Sequence, residues 1–343
     1  MIMIQFQCDY NEGAAPQILQ RMLETNMEQT VGYGMDDYCE HARQLIREAC
    51  EAPEAYVQFL VGGTQTNATV ISATLRPYQG VLCASTGHIN VHETGAIEHT
   101  GHKVLPLPSD NGLITAQQVE EALLAHFNDG SAEHMVQPGM VYVSYPSEVG
   151  TLYTKEELEK ISQVCHKYEI PLFVDGARLG YGLMSPASDL MLADLARLAD
   201  VFYIGGTKQG ALFGEAVVIS NKTIQKDFRY NLKQNGGMLA KGRLLGLQFE
   251  TLFTDNLYFD LAKHAIDEAM RIKQALLTKG YQFMKESPTN QQFPILTNAK
   301  YEELSKEFLF DYCCRMDEGH VAVRICTSWG TKSENVDKLI ERL

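Results

Sequence analysis

Four short segments carry residue types able to do chemistry, and each follows an apolar run. Lys208 stands in Gly205-Gly206-Thr207-Lys208, after VFYI. A lysine approached through small residues can reach into a cleft, and its amine forms Schiff bases with carbonyls once neighbours lower its pKa. The plainer alternative is a solvated loop lysine. Asp175 opens Asp175-Gly176-Ala177-Arg178, after PLFV. A carboxylate there is costly to desolvate unless a cation or a good donor meets it; otherwise it reads as a helix cap. Gly62-Gly63-Thr64-Gln65-Thr66 follows YVQFLV. Small residues at a helix start let backbone N–H groups approach a phosphate, although such a turn alone is not specific. His88 and His92 lie in GHINVHETG, after GVLCAS. Their rings could stack on an aromatic cofactor or relay protons, or simply be hydrogen-bonded loop histidines.

The order of these segments says more than any one of them. Asp175 and Lys208 are 33 residues apart, about one strand–helix–strand unit. That spacing brings both side chains to one edge of a sheet, the carboxyl edge, where α/β proteins bind ligands. An aspartate there can hold a protonated pyridine nitrogen, and a lysine can hold an aldehyde carbon.

The elements that must position these residues are readable between them. Residues 16–29 and 37–51 have helical apolar spacing. From residue 56, short apolar strands (YVQFLVGG, GVLCAS, KVLPLP, MVYVSYP, PLFVDGA, VFYIGG, EAVVIS) alternate with helical segments (TQTNATVISATL, HETGAIEH, TAQQVEEALLAHF, TKEELEKISQVCHKY, LMLADLARL). This alternation predicts a largely parallel sheet covered on both faces. After about residue 240 a long helical stretch leads to a smaller α+β region holding QFPILTN, EFLFDYCCRMDEGHVAVRICTSW and SENVDKLIERL. The expected division is a large domain over 16–245 and a small domain made of 1–15 and 246–343.

Composition narrows the function classes. The chain has 343 residues, 45% hydrophobic and 21% charged, with a net charge of −14. That charge argues against nucleic acid or an anionic membrane as partner. Eight scattered cysteines form no CxxC pair or zinc cluster and suit a reduced, cytoplasmic protein. The N-terminus lacks the basic and apolar regions of a signal peptide. No apolar run is long enough to span a bilayer. The Gly-Gly-Thr turn lacks the GxGxxG pattern of a nucleotide-binding Rossmann module.

Taken together, VDGARLG, IGGTKQGALFGEA and HINVHETGAIE resemble the threonine aldolase and β-eliminating lyase group of pyridoxal-phosphate (PLP) enzymes. The resemblance runs from CDYNEG to RICTSW. It implies fold type I, the aspartate aminotransferase-like α/β fold. It further implies that Lys208 carries PLP as a Schiff base, Asp175 pairs with the pyridinium nitrogen and His88 stacks on the ring. Gly63 and Thr64 would bind the phosphate, with Thr207 nearby, and Arg178 and Arg324 would clamp a substrate carboxylate. Sites in this group lie between subunits, so Tyr33 would come from a neighbouring chain of a homodimer or homotetramer. Two positions depart from the common aldolase pattern. Glu148, in Pro146-Ser147-Glu148-Val149-Gly150-Thr151, stands where many members have a histidine. Cys8 stands where a carboxylate-binding serine is expected.

The expected reaction is retro-aldol cleavage of a β-hydroxy-α-amino acid of threonine, allo-threonine or phenylserine type to glycine and an aldehyde. Glu148, His88 or His92 would take the hydroxyl proton. β-Elimination or transamination on the same scaffold is the alternative, since a fold does not choose a reaction. A PLP-binding protein without turnover would lack the lysine, the aspartate or a carboxylate arginine, and all are present.

Overall fold

The computed structural model describes residues 3–343. Strands are numbered along the chain. After β1 (Ile4–Gln5) come β2 (Tyr56–Leu60), β3 (Gln79–Ala84), β4 (Lys103–Leu107), β5 (Gln137–Ser144), β6 (Leu172–Asp175), β7 (Val201–Gly205) and β8 (Glu215–Ile219). These last seven form one sheet in the order β2-β8-β7-β6-β5-β3-β4. β4, β3, β5, β6 and β7 run parallel, and β8 pairs antiparallel with both β7 and β2. The sheet is therefore mainly parallel, as expected.

Every residue of β6, β7 and β8 is buried, because helices cover both faces and the strands read as unbroken apolar runs. Alternation sorts their side chains. One face packs Phe59, Val141, Val143, Val174, Phe202 and Val218. The other packs Leu60, Tyr142, Phe173, Tyr203 and Val217 under the helix Gly63–Thr74. Asp175 and Glu215 share the parity of this second set, so strand register alone puts them on the tyrosine side.

Two helical expectations resolve differently in detail. The stretch after residue 240 is two helices, Arg243–Phe253 and Leu257–Thr278. They are divided where Asp255 (φ 50°) and Asn256 (φ 63°) turn left-handed, a conformation these two residue types tolerate. The HETGAIEH segment forms only the single-turn helix Ala96–His99, preceded by another single turn, His88–Val91. Between them Thr94 (φ 53°) and Gly95 (φ 72°) reverse the chain.

The C-terminal region adds β9 (Phe283–Lys285), β10 (Gln291–Thr297), β11 (Phe308–Leu309), β12 (Asp311–Arg315) and β13 (His320–Cys326). Four of these form an antiparallel sheet, β12-β13-β10-β9, while β11 pairs in parallel with β1. Phe6, Ile272, Leu296, Phe308, Val323 and Leu339 share a separate core there. That pairing anchors the N-terminal strand to the small region and leads Asp9 and Tyr10 over the carboxyl edge of the large sheet. Among the described residues no helix is long and apolar enough to cross a membrane.

Candidate active site

A cavity of about 550 Å³ opens at the carboxyl edge, lined by residues from both regions. Gly63, Thr64, His88, His92, Glu148, Asp175, Arg178, Thr207, Lys208 and Arg324 all reach it. Two expected residues do not line it within one chain. Cys8 donates its thiol to Asn11 Oδ1 at 3.0 Å. Tyr33 (φ 61°) is half-exposed, with the Lys233 amine 5.2 Å over its ring.

Asp175 is buried, and four donors converge on it. Oδ1 accepts from Tyr203 Oη (2.5 Å) and the Ala177 N–H (3.0 Å); Oδ2 accepts from Tyr142 Oη (2.5 Å) and Asn67 Nδ2 (3.1 Å). Burial, then the Asp175 charge, pushes both tyrosine hydroxyls well above their ordinary pKa. They therefore remain donors. β5 and β7 flank β6, so residues at one parity on three adjacent strands meet here.

Lys208 leaves the Gly205-Gly206-Thr207 turn after β7. Burial, then the nearby Arg178 cation, lowers its pKa, which raises the share of nucleophilic amine. Its backbone carbonyl accepts from Tyr181 Oη at 2.5 Å. Thr207 Oγ donates to Glu215 Oε1 (2.8 Å), and Glu215 Oε2 accepts the Gly206 N–H (3.0 Å). Burial holds the Glu215 carboxyl up at about 7.

The helix Gly63–Thr74 starts without a side-chain cap, so its first N–H groups are left for a ligand. A Cβ on Gly63 would come within 3.2 Å of Tyr203 Oη. Glycine at this turn thus spares a hydroxyl that serves Asp175.

His88 Nδ1 lies 2.8 Å from Oε1 of Glu93, whose side chain is fully buried. The same oxygen accepts from Asn67 Nδ2 at 2.7 Å. Asn67 therefore joins His88–Glu93 to Asp175. Burial opposes charge on His88, but the Glu93 hydrogen bond and the Asp175 charge outweigh it and raise the pKa. His92 sits 5.6 Å away ring to ring; burial and then His88 lower its pKa.

Glu148 Oε1 accepts from Ser144 Oγ (2.6 Å) and the His88 N–H (2.9 Å). Its Oε2 is buried without a partner, and burial raises the pKa of the carboxyl. Gly150 (φ +76°) shapes this loop: a Cβ there would fall 2.3 Å from Ser287 Oγ.

The arginines are partly committed. Arg178 donates Nε and Nη2 to Asp9 at 2.6 and 3.1 Å, which leaves Nη1 for a ligand. Burial opposes ionisation of Asp9, but Arg178 and Lys208 outweigh it and hold the carboxyl at about 2. Asn290 donates to Asp9 as well, at 2.9 Å. Arg324 Nη2 meets Asp311 Oδ2 (2.8 Å) and the Gln7 carbonyl (3.0 Å), while its Nε is buried without a partner.

Asp9, Asn67, Glu93, Tyr142, Tyr203 and Glu215 therefore belong to the site, though their local sequence did not single them out. A signal existed for two of them. Tyr142 interrupts an aliphatic strand at the parity of Ser144, and Glu93 lies five residues after His88.

A lysine and a strand-end aspartate thus share one edge of a mainly parallel α/β sheet of the aspartate aminotransferase-like fold. An aspartate aminotransferase double mutant from Thermus thermophilus superposes with a TM-score of 0.71 at 13% identity, over 99% of this chain and 90% of that one. The model of the beta-eliminating lyase family matches residues 5–299, and the chain belongs to that family. The low specificity L-threonine aldolase of Pseudomonas aeruginosa is 29% identical over 350 residues, 98% of this chain and 95% of that protein. The structure of Leishmania major threonine aldolase is 46% identical, covers 98% of both chains and has a TM-score of 0.96.

Proposed function

We propose that this cavity binds PLP and cleaves a threonine-type β-hydroxy-α-amino acid to glycine and an aldehyde. One juxtaposition carries the reading: Lys208 and the four-donor Asp175 share a cavity with an uncapped helix N-terminus. Those three features suit the aldehyde, the ring nitrogen and the phosphate of one cofactor. The unpartnered Glu148 Oε2 and Arg324 Nε in its wall suit a polar ligand beside it. The threonine aldolase names of the Pseudomonas and Leishmania relatives support the same reaction.

Lys208 would hold the cofactor covalently, Asp175 its ring nitrogen, His88 its ring face, and Gly63, Thr64 and Thr207 the phosphate end. The bound cofactor supplies an electron sink for the pair released when the Cα–Cβ bond breaks. Arg178 Nη1 and Arg324 would fix the substrate carboxylate and so set which Cα bond is aligned for cleavage. Glu148 Oε2 takes the β-hydroxyl proton; such general-base help contributes on the order of 10²–10⁴-fold. The His88 backbone N–H donates to Glu148 Oε1 and holds that carboxylate in place, while the His88 ring is held by Glu93. Lys208 would supply the proton that replaces Cβ on Cα, the proton taken up by Glu148 balances it, and glycine and the aldehyde leave.

A division into a large domain over 16–245 and a small one over 1–15 and 246–343 is supported by the separate core around Phe308 and Val323, while Ala14, Ala15, Phe249, Leu252 and Tyr258 pack into the core of the large sheet. All eight cysteines are free, in keeping with a reduced cytoplasm. Leu23, Met27, Val31 and Met35 are exposed, which suits a homodimer or homotetramer whose neighbour completes the site with Tyr33.

Product analysis on PLP-loaded protein tests the reaction, with L-threonine, L-allo-threonine, phenylserine and L-serine as substrates. Equal amounts of glycine and aldehyde are expected. A keto acid and ammonia without glycine would overturn the aldol reading.

A further inference from the structure

Glu215 is a buried carboxyl group that the proposed reaction leaves unused. It opens β8, paired on one side with Leu60 at the end of β2 and on the other with Gly205 at the end of β7. β2 leads into the Gly62–Thr64 turn, and β7 leads into the Lys208 turn. Glu215 thus stands between the expected phosphate cradle and the lysine, on the sheet face covered by the helix Gly63–Thr74, and it lines the same cavity as both. Its oxygens hold Gly206 N–H and Thr207 Oγ, so its carboxyl is fixed rather than free to swing away.

A carboxylate is an unfavourable neighbour for a phosphate, since like charges disfavour each other's ionised forms. Among the described residues the lysine and arginine side chains that line this cavity are Arg178, Lys208 and Arg324, and Lys208 is the one the cofactor's aldehyde would engage. Arg178 is held by Asp9, and Arg324 by Asp311 and Gln291. We propose that Glu215 takes up a proton from solvent when the phosphate of PLP docks at Gly63 and Thr64, so that this end of the site is balanced by protonation. The proposal rests on the PLP reading above.

The groups that bear on Glu215 are few. Lys208, on the turn after β7, favours its ionised form, and Asp175, at the end of β6, disfavours it. Tyr203 on β7 and Tyr258 on the helix Leu257–Thr278 face it with hydroxyls that burial keeps protonated. Burial already holds the carboxyl up at about 7 in the ligand-free chain. Uptake is therefore largest on the alkaline side of that value, where the empty site holds an ionised Glu215, and fades on the acid side, where the proton is already present.

Calorimetry tests this. PLP is titrated into cofactor-free wild type and Glu215→Gln in buffers of different ionisation enthalpy, with pyridoxal, which lacks the phosphate, as the comparison. At about pH 8, wild type should take up more protons with PLP than Glu215→Gln does, by an amount approaching one. The excess should vanish below about pH 6 and be absent with pyridoxal. In the same range wild-type affinity for PLP should weaken with rising pH, by up to tenfold per unit relative to the variant. Equal uptake by the two proteins with PLP, or the same excess with pyridoxal, would overturn the proposal alone. Wild type that binds no PLP would overturn the cofactor reading with it. If Glu215→Gln does not fold, wild type decides by itself: equal uptake with PLP and pyridoxal contradicts the inference.

Discussion

His88 Nδ1 lies 2.8 Å from Oε1 of the fully buried Glu93, and Asn67 extends that contact to Asp175. The residue expected on the ring face and the residue expected at the ring nitrogen are thus parts of one network. Glu93 orients His88 and supports its charge. Glu93→Gln keeps an acceptor but removes the charge. The His88 titration, followed by NMR, should move to lower pH, since burial opposes its charge and the hydrogen bond and charge of Glu93 hold it up. kcat should fall roughly tenfold if the network acts in catalysis. An unmoved titration would show that Glu93 does not set the charge of His88.

Asp9 and Arg178 form a buried ion pair beside the site. Removing one charge of such a pair costs about 3–5 kcal/mol, so Asp9→Asn should lose about that much stability near neutral pH. Because the folded-state pKa of Asp9 is depressed to about 2, its contribution is present above the unfolded value of about 3.9 and disappears as pH falls through about 2. Urea unfolding of both proteins across the acid range should show the gap closing. A gap constant down to about pH 2 would contradict the charge assignment.

Glu148→Gln should keep the cofactor but lose about 10²–10⁴-fold in kcat on β-hydroxy substrates. Burial raises the Glu148 pKa, so the acid limb of the wild-type rate profile should lie above the ordinary carboxylate range and be missing in the variant. Unchanged turnover would shift the hydroxyl proton to His88 or His92.

Gly150→Ala tests whether the loop geometry matters to that glutamate. The residue has φ +76°, and a Cβ would collide with Ser287 Oγ. Strain of this kind costs about 1–3 kcal/mol. Thermal unfolding should register the loss, and kcat should fall with it because Glu148 lies two residues away. An unchanged melting temperature would mean that the loop relaxes without cost.

What the sequence made legible was whatever is encoded locally. Apolar strand runs, the glycine turns behind them and the Asp175–Lys208 spacing placed one edge of the sheet and its two principal side chains. The antiparallel entry of β8 was not legible, because a buried strand reads alike in either direction. Asp9 meets Arg178 across 169 positions of chain, a pairing created only when β1 joins β11. Tyr142 and Tyr203 meet at Asp175 because three strands lie side by side in register, which no single segment announces. His88 and Glu148 were readable as types, but the contact between the Glu148 carboxylate and the His88 N–H spans two loops.

Every role proposed for the cofactor depends on Lys208 as the residue that bears it. Borohydride reduction of the PLP-loaded protein, followed by peptide mass mapping, measures this directly. One pyridoxyl group per chain on the peptide containing Lys208, and none in Lys208→Ala, is the predicted result. Labelling of another lysine, or unchanged labelling and turnover in Lys208→Ala, would contradict it.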